Sequence, residues 1–252
     1  MNLVDDLFRA LSRHELVAYF QPQIELSSGR VVSGEALARW QHPVHGLLEP
    51  DLFIPAAQEH GLIDQLGIFM VDEAWNRAAE WIGRGLAVQV SVNASATQLE
   101  STGLTDHISR LFDRYDLPAR TLTLEVTETQ QFVDAADVAR RLTVLRDRGL
   151  GISVDDFGAG YSTPERLDEL PATELKIDVS LVQDDTDEGY RELIRIVELA
   201  HERGLRVVAE GVEDAAQQRR VEILRCQRAQ GYLLGRPMPA AEFGDLLAAR
   251  RR

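Results

Sequence analysis

Short β-branched runs alternate along the chain with longer segments whose apolar residues recur at helical spacing. The runs predict strands over 17–26, 31–40, 87–93, 122–127, 152–155, 174–177, 206–210 and 228–232. The helical pattern falls over 65–84, 104–115, 135–147, 189–202 and 215–225, with shorter stretches at 52–59 and 164–169. Strand and helix in regular alternation imply a parallel sheet covered by helices. Three helix-to-strand joints share one device: Arg84-Gly85-Leu86, Arg148-Gly149-Leu150 and Arg203-Gly204-Leu205. A glycine there can take the left-handed conformation that ends a helix, and the cation beside it suits the helix C-terminus. The first two strands differ, because only the stretch around Ser28-Gly29 joins them, too short for a parallel crossover. The expected fold is therefore α/β, a modified (β/α)8 TIM-type barrel with an antiparallel first strand. A doubly wound open sheet is the alternative from pattern alone.

Polar residues interrupt these apolar strands late, or just beyond their ends: Glu35 and Arg39, Asn93, Glu125, Asp155-Asp156, Lys176, Glu210 and Gln230. Barrel enzymes assemble their sites from the C-terminal ends of several strands, and this distribution fits that plan. The two-residue period puts Glu35, Leu37 and Arg39 on one face, with Ala36 and Ala38 toward the outer helices. Glu35 and Arg39 then lie about 13 Å apart along the strand. Asp155 and Asp156 would point oppositely in a regular strand, but the following Phe157-Gly158-Ala159-Gly160 breaks regularity and lets both turn inward. Five carboxylates (Glu35, Glu125, Asp155, Asp156, Glu210) would thus converge with the Asn93 amide. Two ionised carboxylates about 4 Å apart repel by about 4 kcal/mol at an effective dielectric near 20, so such a cluster takes up protons or hard cations. Oxygen donors without cysteine or histidine select Mg²⁺ or Mn²⁺, and this many carboxylates suit two ions sharing a bridging aspartate.

A length of 252 residues suits one large α/β barrel, and 27 Lys+Arg against 41 Asp+Glu leave a net charge of −14. That balance disfavours a nucleic-acid polymer or an anionic membrane as partner, since no basic surplus exists to neutralise phosphates. The single cysteine, Cys226, excludes an intrachain disulfide and a cysteine-based zinc site. The N-terminus lacks the basic start and apolar core of a secretion signal, and no apolar run approaches the length of a membrane span. A cytoplasmic protein is the expectation.

At these residues the sequence resembles the EAL-domain family, bacterial phosphodiesterases that hydrolyse cyclic di-GMP. The signature Glu35-Ala36-Leu37 is followed by Arg39-Trp40. Matching motifs are Tyr19-Phe20-Gln21-Pro22, His42-Pro43 with Gly46, Phe53-Ile54-Pro55, Val92-Asn93-Ala94-Ser95 and Leu124-Glu125-Val126-Thr127-Glu128. Asp155-Asp156-Phe157-Gly158-Ala159-Gly160-Tyr161-Ser162, Leu175-Lys176-Ile177-Asp178, Ala209-Glu210-Gly211-Val212-Glu213 and Gln230-Gly231-Tyr232 complete them in order. Any one motif is weak, but their joint order covers nearly the whole chain, and the resemblance implies a single EAL-type domain over 1–252.

The resemblance implies two Mg²⁺ or Mn²⁺ ions per active site. Glu35, Asn93, Glu125 and Asp155 would hold one; Asp155 would bridge to the second, held also by Asp156 and Glu210. Lys176 would touch the attacking water and the scissile phosphate, completing a catalytic set with Glu35, Asp155, Asp156 and Glu210. Gln21, Leu37 and Arg39 would contact the dinucleotide, Gln230 would fix water or substrate, Glu128 and Glu213 would steady the loop after Asp156, and Asp178 would support the site from behind. The implied product is linear pGpG, and the resemblance also admits a homodimer. The family usually has Thr where Ala159 stands, Ser-Leu in place of Thr163-Pro164 and Glu in place of Gln58. Every metal-binding position is retained. A catalytically weak cyclic di-GMP receptor or protein-interaction module is one rival reading. A Mg²⁺ barrel lyase or isomerase using Lys176 as base is another. Other features have plainer readings: His42 and His45 as turn-shaping residues, 184–188 as a solvated helix entry, and Leu193, Ile196, Val197 and Ala200 as core.

Overall fold

A strand whose apolar side chains all lie on one face needs a cover on that face, and here the helices supply it from outside. In the computed structural model, which describes residues 3–127, 132–159 and 164–249, the strands are β1 (Leu16–Glu25), β2 (Arg30–His42), β3 (Gly46–Leu48), β4 (Gln89–Ala94), β5 (Leu122–Thr127), β6 (Gly151–Phe157), β7 (Glu174–Ile177), β8 (Arg206–Ala209), β9 (Arg228–Gln230) and β10 (Met238–Pro239). β2 and β4 to β9 run parallel in chain order. β1 closes the circle, pairing antiparallel with both β2 and β9, while β3 and β10 add short edges. The result is the expected eight-stranded barrel with a reversed first strand, not an open sheet. The reversal follows from the β1–β2 link, where Gly29 at φ +68° lets the chain double back.

Residues on the outer face of each strand are apolar and buried: Val90 and Val92, Leu122 and Leu124, Ile152 and Val154, Leu175 and Ile177, Val207 and Ala209. They meet the helices Ile63–Gly83, Gly103–Arg114, Ala135–Asp147 and Asp187–Glu202, and the core lies between strands and helices. Leu193, Ile196, Val197 and Ala200 are part of it. Many of the alternate strand positions inside the barrel are polar, among them Ser33, Ser91, Thr123 and Ser153, all buried, although Val208 beside Lys176 is apolar. At the N-terminal end, Arg206 and Arg228 share Glu174, and Arg206 donates to the side-chain carbonyl of Gln89 at 3.2 Å. Most TIM barrels fill this space with branched apolar residues; this one keeps charge and hydroxyls inside.

Gly85, Gly149 and Gly204 all adopt positive φ at the helix ends, as the three Arg-Gly-Leu joints predict. His42 shapes the turn before β3, its Nδ1 accepting from the backbone N–H groups of Val44 and His45. β2 continues to His42 and a helix at Leu3–Ser12 buries Leu7 and Ala10, neither of which the pattern predicts; a C-terminal helix spans Ala240–Ala249. That last helix seals the β1–β2 flank through Phe243, whose ring lies 5.6 Å from Phe20 and 5.0 Å from Trp81 between centroids. Gly34 makes room for it, since a Cβ there would stand 2.5 Å from Phe243 Cζ. Among the described residues, no helix is long and apolar enough to cross a membrane.

Removing the Phe243 ring would open a cavity behind the strand that carries Glu35. Phe243→Ala is expected to cost about 3–5 kcal/mol, read as a lowered urea midpoint at unchanged slope. A loss below about 1 kcal/mol would mean that the C-terminal helix contributes little to the barrel wall.

Candidate active site

The C-terminal ends of the parallel strands bring Glu35, Asn93, Glu125, Asp155, Lys176, Glu210 and Gln230 into one mouth. The adjacent registers place Asn93 opposite Glu125, and Thr127 opposite Asp155. Asn93 Nδ2 donates to Glu35 Oε1 at 2.8 Å, and Gln230 Nε2 donates to Glu35 Oε2 at 2.7 Å. Gln230 Nε2 also lies 3.0 Å from Gln21 Oε1, and Gln21 reaches the Gly235 carbonyl at 3.2 Å. Gln23, two residues beyond Gln21 and so on the same face of β1, donates to Gln230 Oε1 at 3.0 Å. Period two in β1 could have found Gln23, which the motif alone does not mark.

Lys176 stands at the centre. Its Nζ lies 2.7 Å from Glu210 Oε1, 2.9 Å from Glu125 Oε2, 3.0 Å from Asp155 Oδ1 and 3.6 Å from Glu35 Oε2. Three ammonium N–H donors match the three nearest carboxylates. Burial alone would favour the neutral amine, but the charges of Asp155, Glu125, Glu210 and Glu35 outweigh it and raise the Lys176 pKa well above its ordinary value. The sequence leaves this protonation state open; the geometry makes it an ammonium.

The acids respond in opposite senses. Burial and the charge of Glu35 push Glu125 well up, and burial likewise raises Asp155 despite Lys176. Burial lifts Glu210 to about 8 and, with the Asp155 charge, lifts Asp156 to about 6. Glu35 ends below its ordinary value: burial opposes this, but Lys176, Gln230 and Asn93 stabilise its charge. Glu125 Oε1 is buried with no hydrogen-bond partner among the described residues.

Asp156 reaches the cluster by a local backbone device. Its φ is +56°, the register with β7 shifts between Val154 and Phe157, and its N–H donates to Asp155 Oδ1 at 3.0 Å. The two consecutive aspartates thereby turn to one side, and oxygens of Asp155, Asp156 and Glu210 all lie within 4.8 Å of one another. Hard cations accept such an all-oxygen set.

Other expected residues sit further out. Leu37 is half-buried and lines a cavity of about 280 Å³ with Asn93 and Thr127. Arg39 lies apart from the acid cluster, 2.9 Å from Glu49, a partner no motif suggests. Asp178 caps the short helix Val179–Val182, accepting from Ser180 N–H at 2.9 Å, and its charge helps raise Asp156. Glu213 is exposed, and its backbone N–H donates to Gln217 Oε1 at 2.7 Å. Glu128, like Tyr161, Ser162 and Thr163, lies outside the described residues.

Comparison with known proteins agrees with this architecture. The EAL domain profile matches residues 4–237. Over 247 residues the chain is 42% identical to the bifunctional diguanylate cyclase/cyclic di-GMP phosphodiesterase MucR of Pseudomonas aeruginosa, covering 96% of this chain and 36% of that protein. It is 35% identical over 244 residues to the cyclic di-GMP phosphodiesterase RocR of the same organism, covering 96% of this chain and 62% of RocR. The solved structure described as the PaMucR phosphodiesterase in complex with c-di-GMP matches with a TM-score of 0.89 at 41% identity, over 96% of this chain and 100% of that one. The chain thus spans about a third of the length of MucR and 62% of that of RocR. With Glu35-Ala36-Leu37 on the second barrel strand and the profile matched over nearly its whole length, the chain belongs to the EAL domain family.

Proposed function

We propose that this chain is a metal-dependent phosphodiesterase that hydrolyses cyclic di-GMP to linear pGpG. The observation that carries the reading is the barrel mouth itself: five acids, an amide and a buried ammonium, in a chain whose relatives include proteins named for this activity. The donor set fits Mg²⁺ or Mn²⁺, since its ligands are carboxylate and amide oxygens, and a bound cation would offset the burial and neighbouring charge that raise the carboxyl pKa values of Asp156 and Glu210. Glu35, Asn93, Glu125 and Asp155 would hold one ion, and Asp155, Asp156 and Glu210 a second. Bound there, the ions would supply Lewis-acid charge against the phosphodiester and lower the pKa of a water.

The chain's own residues carry the remaining work. Glu35 stays ionised because Lys176, Gln230 and Asn93 support its charge. Lys176 would orient the nucleophile and, as an ammonium, offset charge gathering on the phosphoryl oxygens. Gln21, Leu37, Arg39 and Gln230 would seat the dinucleotide. Water's oxygen bonds to one phosphorus, the bond to the 3′ oxygen breaks, and that oxygen takes up a proton, leaving a 5′ phosphate on the opened ring.

Chromatography of cyclic di-GMP incubated with the protein tests the reading. Conversion to pGpG is expected with Mg²⁺ or Mn²⁺ and not with chelator, and Asp155→Asn should lower both metal occupancy and turnover. Substrate persisting unchanged in both metals would overturn the assignment.

Protons and cations compete for the same acids. Glu210 at about 8, against an ordinary 4.5, keeps a proton in the folded state that the unfolded chain releases. Asp156 at about 6, against 3.8, does the same at lower pH. Folding stability from these groups is full below the ordinary values and is lost as pH rises through the folded ones. In chelator, the thermal midpoint should therefore fall between pH 6 and pH 8, and Mn²⁺ should raise it more at pH 8. An equal Mn²⁺ effect at both pH values would contradict a site assembled from these carboxyls.

Lys176→Ala should depress kcat by about 10²-fold or more, while calorimetric affinity for cyclic di-GMP in Ca²⁺ changes far less. If affinity collapses and single-turnover chemistry at saturating substrate persists, Lys176 is a binding residue instead.

A further inference from the structure

Arg39 extends from the same strand face as Glu35, four residues nearer the mouth, and the protein already engages part of its guanidinium. The side chain is only 8% exposed, with Nη2 2.9 Å from Glu49 Oε2. Nη1 donates to the Ala38 carbonyl at 2.8 Å, and Cζ lies 5.7 Å from the centroid of the Tyr19 ring. Glu49, by contrast, is 61% exposed. It holds the N-cap position of the 3₁₀ turn Pro50–Leu52 with extended backbone, yet its carboxylate does not cap that turn. The carboxylate is directed at Arg39 instead. Pro50 and Asp51 of the same loop line the cavity shared by Leu37 and Asn93. The Glu49–Arg39 pair thus ties that loop to β2 at the edge of the site.

We propose that Glu49 is a positioning residue that holds Arg39 for the substrate. The inference rests on the cyclic di-GMP reading above. A guanidinium has five N–H donors in a rigid fork; among the described residues Glu49 and Ala38 engage two of them, and the others can serve a phosphate oxygen or a guanine edge. A fork already immobilised loses less conformational freedom when the dinucleotide binds, so Glu49 improves affinity without touching substrate. Its own charge works the other way, partly cancelling the attraction of Arg39 for a dianion. The substitution Glu49→Gln would keep an amide acceptor facing the guanidinium and remove that charge, so the two effects can be separated.

Steady-state kinetics on cyclic di-GMP with Mn²⁺, beside calorimetric affinity in Ca²⁺, provide the test. Glu49→Ala should raise KM about tenfold with kcat within about twofold of the parent. Glu49→Gln, which preserves the hydrogen bond, should keep KM within about threefold. In an Arg39→Ala background, itself raised in KM, Glu49→Ala should add nothing further, because its effect runs through the guanidinium. An active parent whose KM is unchanged or lowered by Glu49→Ala overturns the inference, as does the full Glu49→Ala effect persisting without Arg39. A parent that neither binds nor hydrolyses the dinucleotide overturns the functional reading instead, and the two failures are distinct.

Discussion

Lys176, almost fully buried, keeps its charge because four carboxylates surround it, and those carboxylates can stay together because it is there. Each buried ion costs several kcal/mol in lost hydration, a cost offset only where geometry and hydrogen bonds are good. Here Asn93 and Gln230 donate to Glu35, and the Asp156 N–H supports Asp155. The remaining mismatch shows as carboxyl groups pushed toward their protonated forms, Glu210 to about 8 among them. Such a cluster suits the hard cations of the proposed function, and the rest of the barrel can be read as the frame that holds it.

That frame inverts the usual filling of a TIM-type barrel. Helices and outer strand faces bury the apolar residues, while the interior carries serines, threonine and, at the far end, Arg206 and Arg228 around Glu174. A polar axis lets neighbouring strands each project a charged or amide group to one point without forcing it through an apolar layer. The antiparallel β1 belongs to the same solution: pairing with both β2 and β9, it brings Gln21 and Gln23 alongside Gln230 and closes the ring around Glu35.

The outer mouth is organised by loops instead of strands. Arg39 is held by Glu49, from the segment before the 3₁₀ turn, and Asp156 by a left-handed backbone break near the end of β6. Both depend on local departures from regular structure, where functional groups are commonly placed.

Much of this was legible in the sequence. The period of the apolar positions gives the order of strands and helices, and the short Ser28-Gly29 link requires a reversed first strand. The acids at successive strand ends announce one cluster, because a two-residue period decides which side chains share a face. Those features depend on near neighbours along the chain. What only the tertiary structure decided depends on distant ones. Barrel closure chose between a closed and an open sheet, set Gln23 against Gln230, and packed Phe243 into the space left by Gly34. It also paired Glu49, which leaves its own helical turn uncapped, with Arg39. The charge of Lys176 belongs with these, because a pKa is a sum over the groups that folding brings within a few ångströms, and no spacing along the chain records that sum.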